Sequence, residues 1–271
     1  MLEHIRNLLT SGKIDLFLAY KSNAGHPLPH AFTADNLEEL GQLIPGNARY
    51  PLEKIAAELT AAQPGLKIGL LARDCDQRAL NVLAVWNQID PDQFEIVNLN
   101  CCPSNLKDHA QCSYLSPQAT GRFKKQAGID NNFTPREAES FDQKERFDRW
   151  VYEFQKCIKC YGCRDICPVC FCAECSLEHN ELIGTGRLPP DVPIFHLVRA
   201  VHMAGRCVDC GLCEEACPAD IPLRLLYRKV NEIVTELFDY RTGVSSGQTP
   251  FQILGEKPAL QTQPIEAAKT G

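Results

Sequence analysis

Short apolar runs bounded by Gly, Pro or polar residues predict three strands, at Ile14–Tyr20 (IDLFLAY), Lys67–Ala72 (KIGLLA) and Phe94–Asn98 (FEIVN). Between them the period lengthens to that of a helix. Pro51–Ala62 (PLEKIAAELTAA) opens on a proline suited to a first helical turn, and in Asp76–Gln88 the side chains of Leu80, Leu83 and Ala84 share a face. Strands alternating with helices predict an α/β layer of roughly 110 residues. From Gln111 to Gln143 the composition turns polar, with Pro117, Gly121, Gly128 and Pro135, as in a linker or surface loop. Arg136–Gln155 then predicts a charged helix whose buried positions would be Phe141, Phe147, Trp150, Val151 and Phe154. Leu223–Phe238 carries apolar residues at 223, 226, 230, 233 and 237, again at helical spacing. Beyond Tyr240 the chain is rich in Gly, Ser, Gln, Pro and Thr and is expected to be a mobile tail.

Composition narrows the function classes. A chain of 271 residues that is 44% apolar can bury a sizeable core. Its 28 basic and 34 acidic residues leave a formal charge of −6, which disfavours nucleic acid as a partner because such surfaces are usually basic. Glu3, Arg6, Lys13 and Asp15 break up the first apolar stretches, and nowhere do the ~18 consecutive apolar residues of a membrane span occur. The expectation is a soluble, cytoplasmic protein without a secretory signal. Cysteine is the exceptional component: there are 15, an odd number, and eleven of them lie between Cys157 and Cys217. Disulfide scaffolds belong to short secreted chains with even counts, so metal ligation in a reducing compartment is the better account.

The spacing of those cysteines is regular. Cys157, Cys160, Cys163 and Cys167 form C-x2-C-x2-C-x3-C-P, and Cys207, Cys210, Cys213 and Cys217 repeat it unchanged. A cubane cluster needs four thiolates, of which one tight loop can supply three. In the two-cluster bacterial ferredoxin arrangement the fourth is the last cysteine of the other repeat. One 4Fe-4S cluster is therefore assigned to Cys157, Cys160, Cys163 and Cys217, and a second to Cys207, Cys210, Cys213 and Cys167. Zinc is the competing occupant, since paired C-x2-C motifs also build zinc sites. It leaves the third regular cysteine and the C-P of both repeats unexplained. Two oxidised cubanes with their thiolates would take the formal charge from −6 to about −10. Lys156, Lys159, Arg164 and Arg206 lie beside the ligands, where they either offset that charge or are merely solvated.

Cys170, Cys172 and Cys175 (VCFCAEC) stand between the repeats and make a third metal centre a candidate, with a fourth ligand from Cys75, Cys101, Cys102 or Cys112. The alternative is that they pack as small hydrophobes. Cys75 and Cys101-Cys102 follow predicted strands, where open α/β sheets place ligand sites. Asp74 or Asp76 is a natural N-cap for the helix after Arg73. His196 and His202, six apart, are read as packing or hydrogen-bonding residues, and His26 and His30, beside Pro27 and Pro29, as loop residues. No dinucleotide fingerprint, P-loop or nucleophile elbow is present. A flavin site stays open, because flavin binding has no single obligatory motif.

With these residues in view, the chain resembles the beta-subunit family of deazaflavin-coenzyme-reducing hydrogenases and formate dehydrogenases. It is most similar to the ferredoxin-bearing members found with heterodisulfide-reductase-like complexes of anaerobes. The stretches that carry the resemblance are CIKCYGCRDICPVCFCAEC at 157–175 and HLVRAVHMAGRCVDCGLCEEACPADIPLRLL at 196–226. GKIDLFLAY at 12–20 and RDCDQRALNVLAVWNQIDPDQFEIVNLNCCP at 73–103 look like the family's α/β region. One departure is that Leu115 stands where a second cysteine of a further C-x2-C, begun by Cys112, would be. The resemblance implies an iron–sulfur electron-transfer subunit working with hydrogenase, formate dehydrogenase or heterodisulfide-reductase-like partners, some family members also binding FAD. The expected fold class is α+β: an α/β domain over 1–135, a mainly helical ferredoxin-like domain over 136–240, and a tail over 241–271. Two rivals to a pure electron relay are an FAD-containing reductase of a soluble deazaflavin carrier and a zinc-binding structural or assembly protein.

Overall fold

The computed structural model describes residues 1–45, 50–99, 140–184, 186–244 and 249–251. Its N-terminal part is a sheet of five strands, β1 (Leu16–Asn23), β2 (His26–Phe32), β3 (Leu43–Ile44), β4 (Ile68–Ala72) and β5 (Phe94–Asn98). The order is β2-β1-β4-β5, with β3 also pairing with β1; β4 lies parallel to β1 and β5, while β2 and β3 run antiparallel to β1. Helix α1 (Leu2–Thr10) covers one face, burying Ile5, Leu8 and Leu9 against Phe17, Phe32 and Leu71. Helices α2 (Leu52–Ala62) and α3 (Asp74–Val85) cover the other, where Leu52, Ala56 and Leu80 meet Leu18, Ile68 and Leu70. Every residue of β4 is buried, as expected of a strand with helices on both sides.

The three predicted strands and the helices between them are present, with shifted ends. Strand β1 starts later than expected and runs on to Asn23, and α3 starts at Asp74. Arg73, rather than an aspartate, occupies the N-cap position of α3, and Asp76 accepts its backbone N–H at 2.9 Å. His26 and His30, expected in a loop, belong to β2. Its prolines pair opposite Ser22 and Tyr20 at the sheet edge, where a missing N–H interrupts no inner ladder. Helix α1 was not anticipated, although its apolar residues at positions 5, 8 and 9 have helical spacing.

The second part is helical: α4 (Gln143–Gln155), one-turn α5 (Gly162–Asp165), α6 (Ile194–His202), one-turn α7 (Leu212–Glu215) and α8 (Leu223–Phe238). Asp142 caps α4 by accepting the Glu145 N–H at 2.8 Å, seven residues after the expected start at Arg136. Phe154 is buried as expected, whereas Phe147 faces outward. In α8 the C-terminal half likewise exposes Ile233 and Leu237, which periodicity alone had placed inside. The linker expected from Gln111, up to residue 139, and Cys101, Cys102 and Cys112 lie outside the described residues.

Helix α3 joins the two parts. Ala79 and Val82 enter the same apolar cluster as Phe154, Val169 and Met203. Arg78 donates to the Val208 carbonyl at 3.1 Å, and Asn81 to the Gly243 carbonyl at 2.9 Å. Lys54 of α2 reaches the Asp165 carbonyl at 3.0 Å. The described residues of the expected tail also touch the body, with the Phe251 ring 5.4 Å from that of Phe238.

Gly69 sets the spacing of β1 and β4: a Cβ there would stand 2.4 Å from the Phe17 ring and 2.5 Å from Ile14. Gly69→Ala is expected to destabilise the fold by about 1–3 kcal/mol through overpacking, read as a lower denaturant midpoint with unchanged m-value.

Candidate metal centre

The two cysteine repeats fold alike, residue for residue. Lys159 and Asp209 are left-handed (φ 55° and 54°), as are Tyr161 and Gly211 (φ 58° and 83°), and each loop then enters a one-turn helix. Such reversals turn backbone N–H groups inward, where they can face anions. The Lys159 N–H donates to the Cys157 sulfur at 3.3 Å, and that of Asp209 does the same for Cys207. Val169 serves Cys167, and Ala219 and Ile221 serve Cys217. Glycine relieves the left-handed strain at 211. Tyr161, which has no such relief, is held by its hydroxyl on the Leu177 carbonyl (3.1 Å) and by an edge contact with Phe195. A Cβ on Gly162 would come within 3.3 Å of the Ala216 carbonyl, so this glycine lets the two loops approach.

That approach sorts the thiols. Cys157, Cys160, Cys163 and Cys217 line one small cavity, walled by Tyr161 and Phe195. Cys207, Cys210, Cys213 and Cys167 form the second group, in electrostatic contact with one another. Each group thus takes three cysteines from one repeat and the last from the other. Among the described residues no three His, Cys, Asp or Glu side chains close to the distances of a single ion. The groups differ in exposure: Cys160 is exposed, whereas Cys167, Cys207 and Cys213 are buried.

Burial pushes these thiols away from the charged form. It raises Cys163 to about 11 and also lifts Cys157, Cys167, Cys207, Cys213 and Cys217 above the ordinary thiol value. A buried thiolate here therefore needs a cation as partner.

The second observation comes from Arg199 on α6. The residue is 3% exposed, and the groups that act on its charge are the Tyr227 phenol and Cys163, Cys167 and Cys170, not a carboxylate. One terminal nitrogen donates to the Cys163 carbonyl at 2.6 Å and the other to the Cys170 sulfur at 3.8 Å, while Nε has no acceptor. Cys163 of the first group and Cys167 of the second are both in electrostatic contact with this cation. A buried, uncompensated guanidinium is costly. Two anionic iron–sulfur clusters held by these thiols would supply the missing countercharge, so the donor set and the orphaned nitrogen both fit such groups.

Arg199 is not among the cations that adjoin the cysteines in sequence; its signal is that it is the lone cation on the face of α6 that buries Phe195, His196 and Ala200. The cations that were singled out have other partners. Lys156 pairs with Glu153, Arg164 with Asp165 and Glu178, and Lys159 with the Gly184 carbonyl. Arg206 lies over the rings of Trp86 and Phe171. His196 stacks on Phe154 at 4.3 Å, and burial together with the Arg199 cation lowers its pKa to about 4, which suits a packing residue. His202 contacts the Ser176 hydroxyl. Cys75 is buried at the start of α3 with its thiol 3.4 Å from an Asp76 carboxylate oxygen.

Because cluster assembly must expel the protons that burial holds on these thiols, assembly is expected to release protons and to be favoured at higher pH. Anaerobic reconstitution against an iron chelator should retain more iron at pH 8.5 than at pH 6.5; equal retention would contradict this.

Among known protein families, residues 200–222, which include the second loop, match the 4Fe-4S binding domain. The chain is 42% identical over 104 residues to the F420-dependent formate dehydrogenase subunit beta of Methanocaldococcus jannaschii, covering 38% of this chain and 27% of that protein. It is 47% identical over 103 residues to the F420-dependent formate dehydrogenase 1 subunit beta of Methanococcus maripaludis, covering 38% and 26%. The chain thus spans about a quarter of the length of these relatives. With its paired cysteine loops and its match to the 4Fe-4S binding domain, the chain is over that stretch similar to the beta subunits of F420-dependent formate dehydrogenases.

Proposed function

We propose that the chain relays electrons singly through two 4Fe-4S clusters, one ligated by Cys157, Cys160, Cys163 and Cys217 and the other by Cys207, Cys210, Cys213 and Cys167. The observation that carries this reading is the crossing of the last cysteine of each repeat into the other's thiol group, with Arg199 between the groups. When bound, each cluster supplies a one-electron change of iron valence. The chain's own residues fix the clusters, keep water from the second and set the charge around both, and none need act as acid, base or nucleophile.

The exposure of Cys160 favours the first cluster as the point of exchange with an external redox partner. The formate dehydrogenase relatives support a place in an oxidoreductase complex that joins formate to a deazaflavin carrier, with a catalytic subunit as partner. Among the described residues no helix is long and apolar enough to cross a membrane. The division proposed for the chain is an α/β part over 1–135, the cluster-bearing part over 136–240 and a tail over 241–271.

Protein purified without oxygen should contain iron and acid-labile sulfide; a preparation with zinc and no sulfide would sink the proposal. Cys160→Ala is expected to remove the paramagnetic signal of one reduced cluster and leave most of the other. Equal loss of both would count against separate ligand sets. Arg199→Met should lower the cluster potentials by on the order of 100 mV, the effect of a unit charge in a medium of effective dielectric ~20, while Arg199→Lys retains most of the original value. Potentials that do not move would show that the guanidinium is not sensed by the clusters.

A further inference from the structure

Cys170, Cys172 and Cys175 remain outside both ligand sets. Cys172 is exposed, while Cys170 and Cys175 are half-buried and pack in part against apolar clusters. All three line one cavity of about 260 Å³, bounded by the 170–178 loop, α6 and Lys54 of α2. Each thiol has its own guanidinium. Arg199 donates to the Cys170 sulfur at 3.8 Å, Arg206 donates to the Cys172 sulfur at 3.6 Å, and Arg164 bonds to Cys175. Lys54, on the rim, donates to the Asp165 carbonyl.

Three sulfur donors from one short loop face a common space, each met by a guanidinium N–H. Arg164 shares its charge with Asp165 and Glu178, but among the described residues Arg199 and Arg206 pair with no carboxylate. Together they form a setting for a sulfur-ligated group. A disulfide would use two of the thiols and leave the third and its arginine without a purpose. The group would also stand close to the two ferredoxin-type loops, since Arg199 touches the Cys163 carbonyl with the same guanidinium that meets Cys170. On the other side, Arg206 is held against Trp86, which ends α3 and so connects the cavity to the N-terminal part.

We infer that this cavity holds a third iron–sulfur cluster, three of whose iron atoms would be bound by the thiolates of Cys170, Cys172 and Cys175, with Arg164, Arg199 and Arg206 as hydrogen-bond donors to those sulfur ligands. The inference rests on the chain being an iron–sulfur protein, and it adds a centre at the junction of the two parts of the fold.

The test is metal and sulfide analysis of the full chain, isolated and reconstituted without oxygen, beside the triple variant Cys170→Ser, Cys172→Ser, Cys175→Ser. The variant is expected to keep the paramagnetic signals of both ferredoxin-type clusters while losing about a third of its iron and sulfide. Unchanged iron and sulfide in that variant, or the loss of zinc alone, would overturn the third cluster and leave the two-cluster reading standing. A parent chain without sulfide would overturn both. Should the triple variant fold poorly, Arg206→Gln and quantitative Mössbauer spectroscopy of the parent decide the matter. A distinct third iron component perturbed by Arg206→Gln is expected, and a spectrum accounted for by two clusters contradicts the proposal.

Discussion

The cluster-bearing part of the molecule is organised around a buried positive charge that lacks a carboxylate. Arg199 sits on a short helix among thiols from both repeats, with one nitrogen on a carbonyl of the first ligand loop and another on a cysteine sulfur. Without negative charge beside it, the guanidinium would lose its hydration and gain little in exchange. The protonated thiols do not provide that charge, because burial favours their neutral form. Metal loading would resolve both problems together: the thiols would become thiolates, and the cation would gain anionic neighbours. Folding and cofactor assembly are therefore coupled through charge as well as through ligation.

Other ion pairs serve to hold the ligand loops in place. Arg224 of α8, 1% exposed, binds Asp209 at 2.6 Å through its Nε and at 3.3 Å through a terminal nitrogen, and its backbone N–H donates to Glu214 at 3.2 Å. Asp209 is one of the two left-handed residues of the second loop, so this pair ties the unusual backbone directly to α8. In the first loop the corresponding position, Lys159, is fixed by a carbonyl instead. The repeats are alike in backbone and opposite in charge at this position, which gives their clusters different electrostatic surroundings. The difference in burial, with Cys160 exposed and three thiols of the other group buried, acts in the same direction.

The α/β part is attached by chemistry as well as by sequence. Helix α3 contributes apolar residues to the core behind the clusters and Arg78 to a carbonyl of the second loop, while α2 sends Lys54 to the end of α5. A movement of the sheet and its helices would therefore be felt at the ligand loops. The cavity at Cys170, Cys172 and Cys175 lies along this seam, lined by residues of both parts.

Sequence alone determined the features whose cause is local. Two identical cysteine spacings require similar loops, continuous apolar runs require buried strands, and the period of Leu223–Phe238 gave that helix its bounds. Edges and faces depended on neighbours. Pro27 and Pro29 spoke against a strand until the structure put them at the rim of the sheet, and Phe147, Ile233 and Leu237 had the right period but nothing to cover them. The grouping of thiols across the repeats was already legible in their ferredoxin-type spacing, whereas the burial of Arg199 arises from parts of the chain that meet only in three dimensions. A pattern records what each residue prefers, whereas the countercharge a residue finds depends on what the fold brings beside it.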